Sequence, residues 1–204
     1  TQEIDQYEVG LKAGGENYEL YLTAFWNDFV GLPFQAFDQN GNNIVVIGDS
    51  SAKGLEFEGA WRPAGGFELG WNTTWLDANY GRFGNFGGNQ VVRQPRFRAR
   101  LTPSYYWTLP WGDAKVFATV TRVGDRYSDP ANGQVLPAYT TWDLGANMRV
   151  GDHWEFALNG RNVTDEIALT EGNARVIGNA TSAGVFMGRP IEGASYQVSA
   201  AYRW

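Results

Sequence analysis

Apolar and polar residues alternate along nine separate stretches of this 204-residue chain. In the final stretch, Tyr196, Val198 and Ala200 share one parity, while Ser195 and Gln197 share the other. A period of two places successive side chains on opposite faces of a β-strand, so each stretch predicts a strand with one apolar and one polar face. The predicted strands are residues 4–13, 17–30, 53–62, 66–77, 95–108, 114–124, 138–150, 153–163 and 194–204.

The segments between these strands alternate strictly between short and long. The short ones are turn-like and cover residues 13–16, 63–66, 109–113 and 151–152. The long ones are polar, rich in Gly and Asn, and cover residues 31–52, 78–94, 125–137 and 164–193. Barrels of the bacterial outer membrane have short turns at one end and long loops at the other, whereas a soluble sandwich has no reason to sort its connections by length. The pattern therefore predicts an all-β, antiparallel transmembrane β-barrel.

Aromatic residues near the strand ends support this interpretation. Most of them have the parity of the apolar face: Trp61, Trp71, Trp107, Trp142, Trp154, Tyr202 and Trp204. Trp and Tyr side chains settle at lipid–water boundaries. They also fill the cores of soluble proteins, so the membrane interpretation depends on their combination with the sorted connections.

Composition excludes several classes of function. The chain has no Cys, which excludes Cys-ligated zinc, iron–sulfur clusters and thiol catalysis, and its single His, His153, excludes a His-rich metal site. A net charge of -6 argues against nucleic acid as the main partner. No apolar run approaches the roughly 18 residues of a membrane helix. We expect no bound metal, no cofactor and no enzymatic activity.

The number of predicted strands is odd, whereas bacterial single-chain barrels have an even number. Unpaired strand edges in lipid would leave backbone groups unsatisfied at several kcal/mol each. We therefore expect that the nine strands do not close alone, although an additional short pair of strands within residues 34–48 would weaken this inference. The simplest account is the C-terminal part of a larger barrel, divided within an extracellular loop, with the other strands on a separate chain. The alternative is a small stand-alone outer-membrane barrel with a structural or adhesion role.

Several motifs resemble those of the TonB-dependent receptors. Residues 136–150, LPAYTTWDLGANMRV, resemble the third-last strand of that family's barrel, and residues 154–166, WEFALNGRNVTDE, resemble its Asn-Leu-Thr-Asp strand end. Residues 186–190, FMGRP, resemble the family's Gly-x-Pro-Arg approach to the last strand, and residues 193–204, GASYQVSAAYRW, resemble its aromatic-ended last strand. Further upstream, residues 4–12 and 52–58 match the family's strand openings.

This resemblance implies that residues 1–204 are the C-terminal part of a 22-stranded outer-membrane barrel. Such receptors hold a plug domain in the barrel and import scarce nutrients, most often ferric siderophores, with energy transmitted through TonB. The plug domain is absent from this sequence. The implied partners are the N-terminal portion of the same receptor, TonB acting through the plug, outer-membrane lipid or lipopolysaccharide, and a ferric siderophore or similar small ligand. The implied location is the bacterial outer membrane.

A group of arginines is the first candidate binding site. It comprises Arg93, Arg96, Arg98 and Arg100, of which the last three alternate onto the polar face of one strand. Guanidinium groups there suit the carboxylates or phosphates of an anionic ligand such as a ferric chelate. The alternative, which we favour on the residues alone, is a structural salt network with the plug or with Glu56, Glu58 and Glu68, because charge inside a filled barrel is usually paired.

Two long connections supply further candidates. The first carries Tyr80, Arg82, Phe83 and Phe86 among glycines, and the next carries Arg126 and Tyr127. Aromatic rings and arginines on extracellular loops are suited to grip a ligand, although the same residues would fit an unspecialised surface loop. At the other end of the chain, Tyr202 and Trp204 resemble the aromatic signal that the outer-membrane assembly machinery reads.

Overall fold

The computed structural model describes residues 1–37, 42–172 and 186–204. Its strands, in chain order, are β1 (Glu3–Gly15), β2 (Tyr18–Phe37), β3 (Asn43–Trp61), β4 (Phe67–Tyr80), β5 (Phe97–Leu109), β6 (Gly112–Val123), β7 (Arg126–Tyr127), β8 (Val135–Leu136), β9 (Tyr139–Val150), β10 (Trp154–Arg161), β11 (Leu169–Gly172), β12 (Gly188–Pro190) and β13 (Ser195–Tyr202). Among these residues, no helix is long and apolar enough to cross a membrane.

Nine strands form one antiparallel sheet in the order β1-β2-β3-β4-β5-β6-β9-β10-β13. The four remaining strands form two small pairs, β7–β8 and β11–β12, within the connections that follow β6 and β10. The large sheet is open, because β1 and β13 are its two edges and do not pair with each other. The prediction of an antiparallel all-β sheet that does not close alone is confirmed.

The register of the strands gives the sheet two chemically different faces. Val116 lies opposite Ala146, which lies opposite Leu158, and these residues define the apolar face. The polar face is defined by Lys115 and Asn147, which pair with each other and are adjacent in the chain to Val116 and Ala146. Large side chains of the apolar face are exposed, including Leu158 at 50%. Since paired residues share a face, the alternation seen in the sequence is a property of the whole sheet.

Short turns and long connections lie at opposite ends of the sheet. The short-turn end holds residues 16–17, 62–66, 110–111 and 151–153, and the long-connection end holds the segments that follow β2, β4, β6 and β10. Glu3, at the start of β1, pairs with Val30 at the long-connection end, while Tyr202 pairs with Trp154 at the short-turn end. Three of the predicted long connections are therefore long and lie at one end of the sheet, but β2 and β3 are separated only by residues 38–42, which are no more numerous than the five residues 62–66 of a short turn.

The predicted long connection 31–52 is mostly strand, which differs from the expectation. β2 and β3 pair onward as a hairpin as far as Phe37 and Asn43. A bulge lies between Phe29 and Leu32, where the register of β2 against β3 shifts. Gly31 in this bulge has φ 73, and its N–H donates a hydrogen bond of 3.0 Å to the Asp49 carboxylate. A bulge reverses the parity of the following residues, which hides the strand from a search for simple alternation.

Buried side chains are few, and most lie at the long-connection end. Apart from glycines, the buried residues described are Ala60, Ala78, Tyr80, Phe83, Gln90, Ser104, Thr119, Val123, Arg126, Ser128, Asp129, Leu136 and Asn162. More than half of these belong to the connections or to the last residues of the strands that lead into them. Of the buried side chains described, Ala60, Ser104 and Thr119 lie in the body of the sheet.

Candidate functional site

The polar face carries the predicted arginines close to the long-connection end. Arg98 pairs with Thr74 and Arg100 with Asn72, while the carbonyl of Arg96 accepts a hydrogen bond from Leu76 at 2.9 Å. All three arginine side chains are exposed. None of them forms an ion pair with a carboxylate in the described part of the chain. Three guanidinium groups therefore face the space on this side of the sheet.

The nearest carboxylates of the predicted salt network stand one strand further away. Glu56 lies opposite Thr74 and Glu58 opposite Asn72, so β4 separates each of them from the arginines of β5. At about 4.8 Å per strand, the Cα atoms of the two charged rows are roughly 10 Å apart. The two rows place opposite charges on one face without joining them.

The third carboxylate of that network has another partner. Glu68 accepts a hydrogen bond from Nε of Arg62 at 2.6 Å, and Glu19 accepts one from Nη2 of the same arginine at 2.7 Å. These two bonds, that to Glu19 first, raise the pKa of Arg62 above its ordinary value. Glu68 is thus held at the short-turn end, in contrast to the network that the sequence suggested.

Arg93 is separated from the other three arginines. Its φ is 64, and its N–H donates to the carbonyl of Tyr127 at 2.8 Å. Its Nη1 lies 3.5 Å from the carboxylate of Glu171, which also pairs with Arg189 at 3.4 Å. Arg93 therefore links three connections rather than extending the row of arginines.

The aromatic residues predicted in the first connection form a small cluster. The ring of Phe83 lies 4.9 Å from Tyr80, 5.6 Å from Phe86 and 4.7 Å from Phe34 of the long hairpin. Tyr80 and Phe83 are only 3% and 2% exposed. These two side chains hold the connection against the hairpin, whereas Phe86 lies at the edge of the cluster and is half-buried.

Arg82 projects from the same connection and is exposed. Its Nη2 lies 3.2 Å from the Asp49 carboxylate, and its carbonyl accepts a hydrogen bond from the N–H of Asp49 at 2.9 Å. The Asp49 carboxylate also accepts the N–H of Gly31 in the bulge. One aspartate therefore joins the bulge, the hairpin and the connection.

The predicted pair Arg126 and Tyr127 lies in the second connection, within the small strand β7. Arg126 is 4% exposed, stacks over the Tyr139 ring at 5.3 Å and donates to the carbonyl of Leu169. Tyr127 is half-buried and pairs with Val135. The guanidinium of Arg126 is thus used to join the second connection to the third.

The side-chain amides of Asn132 and Asn89, which the sequence analysis did not single out, join the first connection to the second. The Asn132 side chain accepts the N–H of Gln90 at 2.7 Å and donates to the carbonyl of Gln90 at 2.9 Å. Asn89 adds a bond to the carbonyl of Pro130 at 2.8 Å. Asn132 has φ 58, a conformation in which Asn is enriched, and this preference is the one signal that the sequence offered.

The Asn-Val-Thr-Asp segment fastens the third connection in a similar way. The side-chain amide of Asn162 donates to the carbonyls of Glu166 and Glu192 at 3.0 and 2.9 Å. The Asp165 carboxylate accepts the N–H of Ala194 at 2.9 Å. Asn162 and Asp165 have φ 45 and 51, so both are positions that favour Asn, Asp or Gly. The motif therefore binds the start of the third connection to residues 192–194, which directly precede β13.

Together these contacts join the described parts of residues 81–96, 124–138 and 162–194 into one unit, which we call the connection layer. The predicted site residues divide accordingly. Tyr80, Phe83 and Arg126 are buried, Tyr127 and Phe86 are half-buried, and the five other arginines are exposed: Arg82, Arg93, Arg96, Arg98 and Arg100. Of these five, Arg82 and Arg93 form ion pairs with Asp49 and Glu171. Within the described ranges, no group of three or more His, Asp or Glu side chains could hold a metal ion.

The two aromatic residues predicted as an assembly signal lie far from this site, at the short-turn end. The Tyr202 ring lies 5.0 Å from Trp154, and Trp204 is fully exposed. A hydrogen bond of 2.8 Å joins Nδ1 of His153 to the carbonyl of Arg203, so the last residues are fastened to the turn before β10.

Comparison with known families gives one match, which covers most of the chain. The family model described as TonB dependent receptor-like, beta-barrel, matches residues 2–163. No curated protein matches the chain significantly.

Solved structures reproduce the fold along its whole length. The ferric yersiniabactin uptake receptor FyuA from Yersinia pestis has a TM-score of 0.80 at 18% identity, covering 100% of this chain and 30% of its own. The ferric preacinetobactin receptor BauA from Acinetobacter baumannii has a TM-score of 0.77 at 22% identity, covering 98% of this chain and 29% of its own. The copper transporter OprC has a TM-score of 0.75 at 12% identity, covering 100% and 31%. The chain thus spans less than a third of the length of each of these three structures.

Proposed function

The chain belongs to the TonB dependent receptor-like β-barrel family, and on this premise we propose that it forms part of the wall of an outer-membrane receptor that imports a scarce nutrient. The apolar face then contacts lipid, and the polar face lines the lumen. Under this orientation the short-turn end is periplasmic and the connection layer is extracellular, as is usual for outer-membrane barrels.

We propose an anionic metal chelate as the cargo, with a ferric siderophore as the first choice. The observation that carries this proposal is the set of exposed arginines on the polar face, Arg96, Arg98 and Arg100, which have no carboxylate partner in the described residues. Guanidinium groups bind carboxylate and phenolate-type oxygen donors strongly where water is partly excluded. FyuA and BauA are receptors for ferric chelates, while OprC transports copper, so the fold is compatible with more than one metal.

The open edges support the proposed partners. The side chains of β1 and β13 are exposed along their whole length, and each strand has a neighbour on one side alone. An edge in lipid must be paired because its backbone groups have no water to bind. We propose that further strands of the same receptor pair with both edges, that a plug segment fills the lumen, and that TonB acts through this plug.

The stand-alone barrel is the weaker candidate. A stable barrel of this size would close β1 against β13, and the structure leaves these edges apart. An enzymatic role also has little support, since the chain's one histidine, His153, lies at the short-turn end with its Nδ1 bonded to a backbone carbonyl. We propose a transport role without catalysis.

The test measures uptake by cells that produce the complete receptor and no competing transporter. The substrates are a panel of radiolabelled ferric siderophores, catecholate, hydroxamate and carboxylate, with a copper chelate for comparison. The variants are Arg98→Gln with Arg100→Gln, and the matched control is Lys12→Gln, which removes a positive charge from the polar face near the short-turn end.

We expect the double variant to weaken binding of one ferric chelate about tenfold or more, since each charge-assisted hydrogen bond contributes roughly 1.5 kcal/mol or more. The control should bind as the wild type does. An uncoupler should abolish uptake and leave binding intact. Equal binding by all proteins would overturn the arginine site, and uptake that resists the uncoupler would overturn energised transport.

A further inference from the structure

Positive charge is rare on the apolar face of the sheet. Among the described strand residues of that face, Lys53 and Arg122 are the cations. Lys53 shares the parity of Leu55 and lies opposite Trp26 and Asp77. Arg122 shares the parity of Val120 and lies opposite Ala99 and Thr140. Every other arginine or lysine described in the nine-stranded sheet has the parity of the polar face, so these two positions require a separate explanation.

The two cations differ in how their charge is balanced. The Nζ of Lys53 lies 3.6 Å from the carboxylate of Asp77, on the same face. Arg122 is exposed, and its Nη1 donates to the hydroxyl of Thr140 at 3.1 Å. No carboxylate in the described residues pairs with Arg122. In the described residues the guanidinium thus has one hydrogen bond, to Thr140, which leaves most of its N–H donors for a further partner.

The height of Arg122 above the short-turn end of the sheet can be compared with that of three tryptophans on the same face. Trp26, Trp75 and Trp142 each lie eight residues from the short-turn end of their strands, and all three are 43% exposed or more. Eight residues span about 27 Å along a strand, or roughly 21 Å of height at the usual tilt of about 40°. Arg122 lies ten residues from the start of β6, one same-face step beyond the level of Trp142 in the neighbouring strand.

This level matches the boundary of a bilayer. The apolar band of such barrels is about 25 Å tall, with aromatic residues at both borders. An outward arginine is strongly unfavourable at the midplane of the membrane and nearly neutral at the interface. At ten residues from the periplasmic end, Arg122 reaches the height at which lipid headgroups of the outer leaflet begin.

We propose that Arg122, with Thr140 beside it, binds the phosphate group of a phosphorylated outer-leaflet lipid. This inference rests on the proposed function, because it requires the apolar face to contact the membrane. A guanidinium presents several donors in a fork that matches phosphate oxygens, and the neighbouring hydroxyl fixes its orientation. The small side chain of Ala99 on one side and the indole of Trp142 one step below leave room for a headgroup above the acyl chains.

The experiment titrates the complete receptor, purified in detergent, with bisphosphorylated lipid A and counts bound lipids by native mass spectrometry. The variant is Arg122→Gln. Its matched control is Lys115→Gln, which removes a cation from the same strand but from the polar face, where Lys115 lies 4.7 Å from the Tyr106 ring. Dephosphorylated lipid A serves as a second probe. Arg122→Lys tests whether the fork or the charge alone is needed.

We expect Arg122→Gln to bind bisphosphorylated lipid A about fivefold more weakly than the wild type, which corresponds to one basic residue near a membrane surface. Lys115→Gln should match the wild type, Arg122→Lys should fall between, and the dephosphorylated lipid should not distinguish any of them. If all variants bind the phosphorylated lipid equally while the wild type binds it, the site at Arg122 is wrong and the receptor proposal stands. If the wild type binds no lipid of either kind, the membrane orientation and the proposed function both fail.

Discussion

The sheet and the connection layer are stabilised by different means. In the sheet, apolar side chains such as Val116 and Leu158 remain exposed, and neighbouring strands are held together by their backbone hydrogen bonds. In the connection layer, Phe83 and Leu136 are almost fully buried, and polar side chains bond to backbone groups of distant segments. The sheet thus relies on its surroundings, whereas the layer carries a small core of its own.

This difference predicts which substitutions will destabilise the folded structure locally. A truncation on the apolar face of the sheet changes contacts with the surroundings and leaves the ladder intact. A truncation in the layer opens a cavity or orphans a buried backbone group, and the affected segment loses the contacts that fix it.

The largest effect is expected for Phe83→Ala in the complete receptor. The variant removes the ring that contacts Phe34, Tyr80 and Phe86, and a buried Phe→Ala change costs about 3–5 kcal/mol. Hydrogen exchange of the amides in residues 78–94 should accelerate by a factor of roughly 100 or more, the equivalent of that loss. The control is Phe156→Ala on the apolar face, where Phe156 is 38% exposed.

Exchange in residues 78–94 should be unchanged in Phe156→Ala. If Phe83→Ala leaves these amides as protected as in the wild type, the connection does not depend on the aromatic cluster, and the contrast between sheet and layer is lost.

An intermediate effect is expected for Asn132→Ala. It leaves the buried N–H and carbonyl of Gln90 without their partner and also places Ala at φ 58. We expect a local loss of about 2–3 kcal/mol, measured as exchange of the Gln90 amide. Asn132→Gly keeps the conformation accessible and removes the bonds, so the difference between the two variants isolates the backbone strain.

Asn147→Ala is the matched change in the sheet, since Asn147 is exposed on the polar face of β9. A loss of protection in this variant as large as in Asn132→Ala would contradict the view that amides of the layer, and not those of the sheet, carry structure.

The smallest effect is expected for Arg62→Gln at the short-turn end. Arg62 bonds Glu19 and Glu68, but all three side chains are partly exposed, and solvent and salt screen such pairs. The melting temperature of the receptor should fall slightly at low salt and match the wild type at high salt. A large fall that persists at high salt would mean that this end of the sheet depends on specific ion pairs, as the layer does.

Sequence alone predicted the sheet well because its pattern is local. β9 was predicted as residues 138–150 and is Tyr139–Val150, and β13 was predicted as 194–204 and is Ser195–Tyr202. Each strand must present apolar side chains to one side, and this requirement constrains every second residue. The same logic failed for residues 31–52, where the bulge at Gly31 reverses the parity and the hairpin continues.

The binding candidates were less predictable. The parity of Arg98 and Arg100 followed from the sequence, but the contacts of Arg126 and Arg93 did not, because each is bound by a group about 40 or more residues away. Burial also separated Phe83 from Phe86, which look alike in the sequence.

The sequence by itself determined most of the strands and their two faces, since these depend on the period-two geometry of one extended segment at a time. Tertiary structure decided which of the candidate side chains stay exposed and which bind the connections to one another. Those roles arise from bonds between segments distant in the chain, such as that between Asn132 and Gln90, and no local pattern encodes them.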